Sequence, residues 1–225
     1  MRLALHVHSN YSPCSESPLK DIYAYCLHND IGAIAICDHN EISGALRFAE
    51  LAKGIKVIIG EEIKTKQGEI IGLFLSSRIE PMLSAEETIQ RIKEQNGLVL
   101  LPHPFDIIRP FHLRPKTLAK IGKQVDLIEI FNSKMLLRRS NNKALDYARS
   151  IKKTGVIGSD AHYVKAIGSA IMEIEDFTDA EDFLSKIAGA TIVKQTDLGV
   201  LTTIWSCTKN FVKNLSGKGS RRDKI

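Results

Sequence analysis

The chain begins with Met1-Arg-Leu-Ala-Leu-His6-Val-His8-Ser9, a short apolar run that ends in two histidines separated by one residue. Successive side chains of a β-strand alternate between its faces, so we expect His6 and His8 to point the same way. Taken alone, this motif favours one buried, hydrogen-bonded histidine and one surface histidine. A second pair, Asp160 and His162, follows the apolar residues 156–158. Two such pairs at strand ends favour a metal site.

Apolar segments alternate with helical segments along most of the chain, which predicts βαβ units and a parallel sheet. Strands are predicted near residues 33–37, 56–60, 98–101, 127–132, 156–160 and 170–173. Helices are predicted near residues 18–29, 41–53, 84–95, 115–121, 141–152 and 179–188. A turn at residues 64–68 precedes a short antiparallel strand at 70–75. A closed or nearly closed α/β barrel fits best, because it brings the ends of early and late strands together.

The composition is that of a globular domain with a separate tail. The chain has 225 residues, of which 44% are hydrophobic and 25% are charged, which is enough for one sizeable core. It contains neither a long apolar span nor a signal-peptide pattern, so we expect a cytoplasmic protein. The four cysteines are scattered without Cys-x-x-Cys spacing and are expected to be reduced.

The positive charge of the chain is concentrated at its C-terminal end. Residues 209–225 contain six lysines and arginines against one aspartate, which accounts for the whole net charge of +5. We therefore expect one domain over residues 1–192 and a basic tail over 193–225, helical in part and then disordered. The tail could pack on the barrel, contact an anionic membrane surface or guide nucleic acid.

The predicted strand ends carry further side chains of the kind that bind metals. Besides the two pairs they supply His39, Glu62, His103 and Glu129, and five of the seven histidines fall at such ends. Imidazole nitrogens and carboxylate oxygens without thiolates suit Zn²⁺, Mn²⁺ or Fe²⁺, and bridging carboxylates can hold two or three ions. Such clusters favour the hydrolysis of phosphate esters. Scattered, hydrogen-bonded histidines are the simpler alternative.

The segments that carry these residues occur in a fixed order: His6-Val-His8-Ser9, Cys37-Asp38-His39-Asn40, Gly60-Glu61-Glu62-Ile63, Pro102-His103-Pro104 and Ser159-Asp160-Ala161-His162. The series resembles the PHP (polymerase and histidinol phosphatase) family of metal-dependent phosphoesterases over roughly residues 2–190. The resemblance implies a distorted (β/α)7 barrel with a trinuclear site at the carboxyl ends of the strands. A first ion would lie between His6, His8, Glu62 and Asp160, a second between Glu62, His103 and Glu129, and a third between His39, His162 and a loop residue after His8.

Three positions depart from the pattern of the family. The loop after His8 offers Cys14 or Glu16, and we favour Glu16 because the expected metals prefer oxygen when only one soft ligand is present. Glu129 stands where many members have histidine, and is either a ligand or a partner that orients one. Glu69 lies near another position often held by histidine, and is either a ligand or an exposed residue of the hairpin.

The expected activity is hydrolysis of a phosphate ester by in-line attack of a metal-bound hydroxide. Nucleotides or nucleic-acid ends are the expected substrates, as for exonucleases or nucleoside bisphosphate phosphatases. A phosphatase of the histidinol phosphate type and a non-catalytic binding or regulatory module are the alternatives. We assign Asp38, His39, Asp160 and His162 to the catalytic set, with Asp38 orienting a ligand.

A basic rim should bind the negatively charged substrate, because arginine donates two parallel hydrogen bonds to phosphate. The loops at the same end of the predicted barrel supply His112 and Lys134 together with four arginines. The predicted substrate-binding residues are Arg109, Arg114, Arg138 and Arg139.

Overall fold

The computed structural model describes residues 1–108 and 112–198 of the chain. Within these residues one sheet of nine strands is accompanied by six α-helices and a 3₁₀-helix at Val164–Ser169. The strands are β1 Arg2–Val7, β2 Ile31–His39, β3 Lys56–Lys64, β4 Glu69–Leu73, β5 Leu98–Leu101, β6 Leu127–Asn132, β7 Thr154–Gly158, β8 Ala170–Glu173 and β9 Thr191–Gln195. The helices are α1 Leu19–His28, α2 Ser43–Leu51, α3 Ala85–Lys93, α4 Pro115–Ile121, α5 Arg138–Ser150 and α6 Ala180–Ile187.

The strands are ordered β7-β6-β5-β4-β3-β2-β1-β8-β9 across the sheet. The pairs β1–β2, β2–β3, β5–β6 and β6–β7 are parallel, whereas β4 runs antiparallel to both of its neighbours. The predicted α/β barrel is confirmed, including its antiparallel strand. The predicted count of seven βα units is not confirmed, because a hairpin joins β3 to β4 and because β8 and β9 add antiparallel pairs.

Backbone hydrogen bonds between β1 and the segment after β7 nearly close the barrel. The Ser159 amide donates to the carbonyl of Leu5 at 3.1 Å, and the Ala161 amide donates to that of His6 at 3.2 Å. The His8 amide returns a bond to the Ala161 carbonyl at 2.9 Å. The carboxyl ends of β1 and β7, which are far apart in sequence, therefore meet at the same end of the barrel.

Strand β2 shows why the barrel strands read as continuous apolar runs. Ala33 and Ala35 pack in one buried cluster with residues of the other strands. The alternating residues Ile34 and Ile36 pack in a second cluster with Phe48 of α2. Since both faces of the strand are covered, both sets of side chains are apolar.

Several predicted boundaries can be compared with the structure. Helix α3 begins with the predicted capping box, in which Ser84 Oγ accepts from the Glu87 amide at 3.2 Å. Helix α5 begins at Arg138, three residues before the predicted start. Strand β9 runs across residue 192, where we placed the end of the domain. The predicted tail helix lies outside the described residues. None of the described helices is long and apolar enough to cross a membrane.

Candidate metal centre

Four side chains converge at the carboxyl ends of β1, β3 and β7, and all are essentially inaccessible to solvent. Glu62 Oε2 lies 3.4 Å from His6 Nε2 and 3.3 Å from His8 Nε2. Asp160 Oδ1 lies 3.9 Å and 3.5 Å from the same two nitrogens. A tetrahedral site with bonds of about 2.1 Å has ligand-to-ligand edges of about 3.4 Å. His6, His8 and Asp160 therefore offer one ligand atom each within 4.8 Å of the others, close enough for ligands of one divalent ion, and Glu62 lies beside both histidines.

Three of these atoms lack hydrogen-bond partners among the described residues: His6 Nε2, His8 Nε2 and Glu62 Oε2. Buried polar atoms in native proteins are nearly always hydrogen-bonded, because leaving them unsatisfied is costly. A divalent cation placed between them would satisfy all three. The residues present thus fit the metal that the sequence predicts.

The backbone at several candidate ligands is strained. His6, His103 and Asp160 have φ angles of 59°, 28° and 48°, in the left-handed region that such residues seldom adopt. The register of β1 against β2 also shifts between Ala4 and Val7. His6 and His8 converge as predicted, but through this irregularity and not through the simple alternation on which we based the expectation.

Glu62 also reaches residues on the other side of the cluster. Its Oε1 lies 3.0 Å from His103 Nε2, while its Oε2 lies 3.2 Å from His39 Nδ1. Because the two oxygens face different groups, this carboxylate has the geometry of a bridge between two ions. Glu69 Oε2 lies 3.9 Å from His103 Nε2 and forms a possible metal group with His39 and Glu62.

Glu129 faces three protein donors. His6 Nδ1 lies 2.8 Å from its Oε1, and its Oε2 accepts from the His103 amide at 2.8 Å and from the Asn132 side-chain amide at 2.9 Å. Among the described residues, none of the groups that could hold an ion includes Glu129. This geometry favours the role of a partner that keeps a proton on His6 Nδ1 and leaves Nε2 for a cation.

Like Glu129, Asp38 acts on candidate ligands through hydrogen bonds, in this case by holding the loop after β1. It accepts from the Ser9 amide at 2.7 Å and from the hydroxyls of Ser9 and Ser12 at 2.6 and 2.7 Å. Ser12 Oγ also accepts from the His39 amide at 3.0 Å and lies 3.2 Å from His8 Nδ1. Since the single hydroxyl hydrogen of Ser12 points to Asp38, His8 Nδ1 is the donor and Nε2 is left unprotonated. Ser12 is not among the residues predicted from the sequence, and its place in the loop after a ligand pair is the signal that could have indicated it.

His8, His39 and His162 form a further group with metal-binding spacing. His162 Nδ1 lies 2.9 Å from the Asp160 carbonyl, which fixes the orientation of its ring. The Lys134 ammonium lies 3.2 and 3.3 Å from the two ring nitrogens of His162 and 3.8 Å from Asp160 Oδ1. A lysine therefore shares the space beside this third group.

The two candidate ligands of the loop after β1 differ in position. Glu16 is exposed and belongs to none of the possible metal groups among the described residues. Cys14 is partly buried and interacts electrostatically with Lys134, Glu62 and Asp160. Burial raises the pKa of the Cys14 thiol to about 12, which disfavours the thiolate that binds metals.

The surroundings of His6 and His39 shift the pKa values of these two histidines in opposite directions. Burial alone would lower the pKa of His6, but the carboxylates of Glu129, Glu62 and Asp160 outweigh it and raise this pKa well above its usual value. Burial lowers the pKa of His39 to about 3. His39 is therefore neutral near pH 7, as a metal ligand must be.

The predicted substrate-binding arginines lie at the surface where they are described. Arg114 and Arg139 are exposed. Arg138 is exposed as well, and its Nε pairs with Asp197 Oδ2 at 2.9 Å. Arg109 lies outside the described residues. Of the described basic residues, Lys134 lies against the cluster, whereas Arg114, Arg138 and Arg139 are exposed.

The model of the PHP domain family matches residues 4–188. The chain belongs to the PHP domain family. Among curated proteins, this PHP domain is similar to two uncharacterised proteins of Methanocaldococcus jannaschii. One is 38% identical over 184 residues, which are 78% of this chain and 71% of that protein. The other is 40% identical over 147 residues, which are 59% of this chain and 82% of that protein.

Solved structures share the fold of this PHP domain at low sequence identity. A two-domain protein of Bacteroides vulgatus, described as containing a predicted PHP-like metal-dependent phosphoesterase, aligns with a TM-score of 0.71 and 16% identity. The alignment covers 93% of this chain and 69% of that one. PsfC of Pseudomonas syringae aligns with a TM-score of 0.65 and 15% identity over 96% of this chain and 98% of its own.

Proposed function

We propose that this PHP domain hydrolyses phosphate esters of nucleotides or nucleic-acid ends with the help of two to three divalent metal ions. The observation that carries the proposal is the convergence of His6 Nε2, His8 Nε2 and Glu62 Oε2. These buried atoms lack hydrogen-bond partners among the described residues and are spaced like metal ligands. A site built only to stabilise the fold would have paired them with protein donors and acceptors.

The donor set supports Mn²⁺, Zn²⁺ or Fe²⁺, because it mixes imidazole nitrogens with carboxylate oxygens. When bound, such ions supply polarisation of the phosphoryl group and a water molecule of lowered pKa. Glu62 would bridge two ions, with His6, His8 and Asp160 on one side and His103 on the other. His39 and His162 would be ligands of an ion at the third group.

The surrounding residues prepare these ligands for cations. Glu129 keeps the proton of His6 on Nδ1, and Ser12, itself held by Asp38, does the same for His8. In their neutral forms both histidines therefore present an unprotonated Nε2 to a cation, which at His6 would displace the proton that the neighbouring carboxylates favour. We assign Asp38 and Glu129 to positioning roles, and His39, Asp160 and His162 to roles as ligands.

A positive charge beside the cluster and the basic composition of the tail support an anionic substrate. The Lys134 ammonium lies at its edge, and residues 209–225 carry the whole net positive charge of the chain. A phosphate group with a larger polyanion attached would match both features. This is why nucleotides and nucleic-acid ends are preferred over a small phosphomonoester such as histidinol phosphate.

The first experiment is metal analysis of protein purified without chelators, together with hydrolysis of a generic phosphodiester and a generic phosphomonoester in added Mn²⁺. We expect two to three ions per chain and turnover that requires them. His8→Ala and Asp160→Ala should abolish turnover, while His28→Ala on the exposed surface of α1 should keep it. Absence of bound metal and of turnover with every divalent ion would leave a non-catalytic binding module.

A substrate panel then tests the preference within the enzyme class. Single-stranded oligonucleotides, nucleoside bisphosphates and histidinol phosphate are compared by kcat/KM under identical metal loading. Higher values for either nucleotide class support the proposal. A clear preference for histidinol phosphate would replace it with the phosphomonoesterase alternative.

A further inference from the structure

Lys134 brings a fixed positive charge into the third group of candidate ligands. Its Nζ lies 3.2 and 3.3 Å from the ring nitrogens of His162 and 3.8 Å from Asp160 Oδ1. Its side chain is only 12% exposed. Lys134 is therefore part of the centre and not a residue of the outer rim.

The loop that carries Lys134 is held by hydrogen bonds on several sides. The Lys134 amide donates to Asn132 Oδ1 at 3.0 Å, and the Asn132 side-chain amide bonds to Glu129 Oε2 at 2.9 Å and to Asp160 Oδ2 at 3.3 Å. Ser133 donates its amide to the Gly158 carbonyl at 3.0 Å. The backbone from which the ammonium projects is thus tied to the residues that surround the candidate ligands.

A divalent ion at the third group would lie close to this ammonium. Since a histidine–metal bond is about 2.1 Å long, an ion on His162 Nε2 would be no more than about 5.4 Å from Lys134 Nζ. Like charges at this distance repel strongly where water is excluded. The positive charge of the ammonium therefore disfavours binding of a third ion at this group.

We infer that the Lys134 ammonium takes the place of a third metal ion, so that this PHP domain holds two divalent ions and uses lysine as the third cation. The ammonium would bind a non-bridging oxygen of the substrate phosphate beside the two ions. Lysine suits this role because it is a compact point charge with three donors. The inference rests on the proposed metal-dependent function and specifies how its centre is completed.

The test counts bound Mn²⁺ on the full chain by equilibrium dialysis, in wild type and in Lys134→Met. Methionine keeps most of the length of the side chain but removes the charge. We expect two ions per chain in wild type, and three in Lys134→Met at saturating Mn²⁺. Lys134→Arg, which keeps the charge, and Lys143→Met, which removes an exposed lysine of α5, should both bind two. Lys134→Gln replaces the methionine variant if circular dichroism shows that the latter is not folded.

Binding of inorganic phosphate gives a second measurement that does not depend on turnover. At Mn²⁺ concentrations at which wild type and Lys134→Met both hold two ions, the dissociation constant for phosphate should rise by about tenfold in the variant, as expected for one charge-assisted hydrogen bond. An unchanged phosphate affinity would contradict the proposed contact.

The outcomes separate this inference from the proposed function. Three ions in wild type, or equal numbers in wild type and Lys134→Met, would overturn the role of Lys134 while leaving the metal centre intact. No Mn²⁺ binding by any variant would overturn the metal centre itself, and with it the proposed phosphoesterase.

Discussion

Glu61 and Glu62 are neighbours on β3, and neither has any solvent exposure, yet their surroundings are opposite. Glu62 lies among His6, His8 and His39. Burial alone would raise its pKa, but His6 and His39 outweigh burial and lower this pKa well below its usual value. Glu61 is on the other face, where burial raises its pKa to about 7 although the Ile79 amide, 2.9 Å from Oε2, opposes this.

The comparison shows that burial does not by itself decide what a carboxylate does. A buried carboxylate surrounded by imidazoles stays ionised and can hold cations, whereas one that is buried without imidazole neighbours resists ionisation. One strand thus carries a candidate bridging ligand and a carboxylic acid side by side. The experiments below test this difference, beginning with the largest effect.

Metal affinity should separate the two glutamates most strongly. Glu62→Gln removes the charge that faces every candidate site, so its loss should exceed the roughly 10- to 100-fold change typical of losing an outer partner of a metal ligand. Glu61→Gln should leave metal affinity nearly unchanged. In the described contacts this side chain accepts a hydrogen bond from the Ile79 amide and faces none of the candidate ligands. Isothermal titration with Mn²⁺ and Zn²⁺ measures both.

The pair serves as its own control, since the two variants make the same chemical change at adjacent buried positions. Wild-type affinity in both variants would show that Glu62 is not a ligand. Equal loss in both would show that the two faces of β3 are not independent.

Gly158→Ala should have an intermediate effect on metal affinity. A Cβ at this position would lie 1.8 Å from Glu129 Oε1, so Glu129 would have to leave His6. We expect metal affinity to fall by about 10- to 100-fold, because His6 would lose the partner that orients it. Metal titration measures this loss, and thermal unfolding of the metal-free protein measures any loss of packing.

Gly189→Ala is the matched control, since its Cβ would meet only the Lys186 carbonyl, at an ordinary 3.6 Å. If Gly158→Ala bound metal as tightly as this control, the orienting role of Glu129 would be wrong.

The smallest effect is the contribution of Glu61 to the pH dependence of stability. The pKa of Glu61 is raised from 4.5 to about 7, so between these values the folded state retains a proton that the unfolded state has lost. Stability therefore falls as pH rises through this window, by up to about 3 kcal/mol for a shift of this size. Glu61→Gln should remove this part of the pH dependence.

Urea unfolding of wild type and Glu61→Gln, at a series of pH values from 4 to 8 and in the presence of chelator, measures the difference. As pH rises, the free energy of unfolding should fall more in wild type than in the variant. Parallel curves would mean that Glu61 is ionised at its ordinary pKa despite its burial.

Much of the fold and of the candidate centre could be predicted from the sequence, because both rest on periodicity. Apolar runs alternating with helices gave the barrel, and residues such as His39 and Glu62 stand where those runs end. In a parallel sheet these ends meet, so the convergence of the side chains follows from the order of the elements. The ordered motifs also gave the family, which the match over residues 4–188 confirms.

The finer arrangement depends on loop paths and rotamers, which periodicity does not encode. The left-handed backbone of His6 and the direction of Lys134 result from long-range hydrogen bonds and not from local sequence. The sequence favours Glu129 as a ligand over a partner of one, whereas its three donors in the structure favour the partner role. Arginines were preferred as phosphate contacts for their chemistry, while position favours the lysine.

The closure of the barrel also has a consequence for biosynthesis. The hydroxyl of Ser159 lies 3.4 Å from the carbonyl of Leu5, a residue 154 positions earlier, and Asp160 follows directly. On the ribosome, His6 and His8 emerge long before the carboxylate that faces them. A nascent chain consequently has no complete pocket for an ion until most of the domain has been translated. Binding of an ion at this cluster would therefore be a late step of maturation, one that requires β7 to have folded against β1.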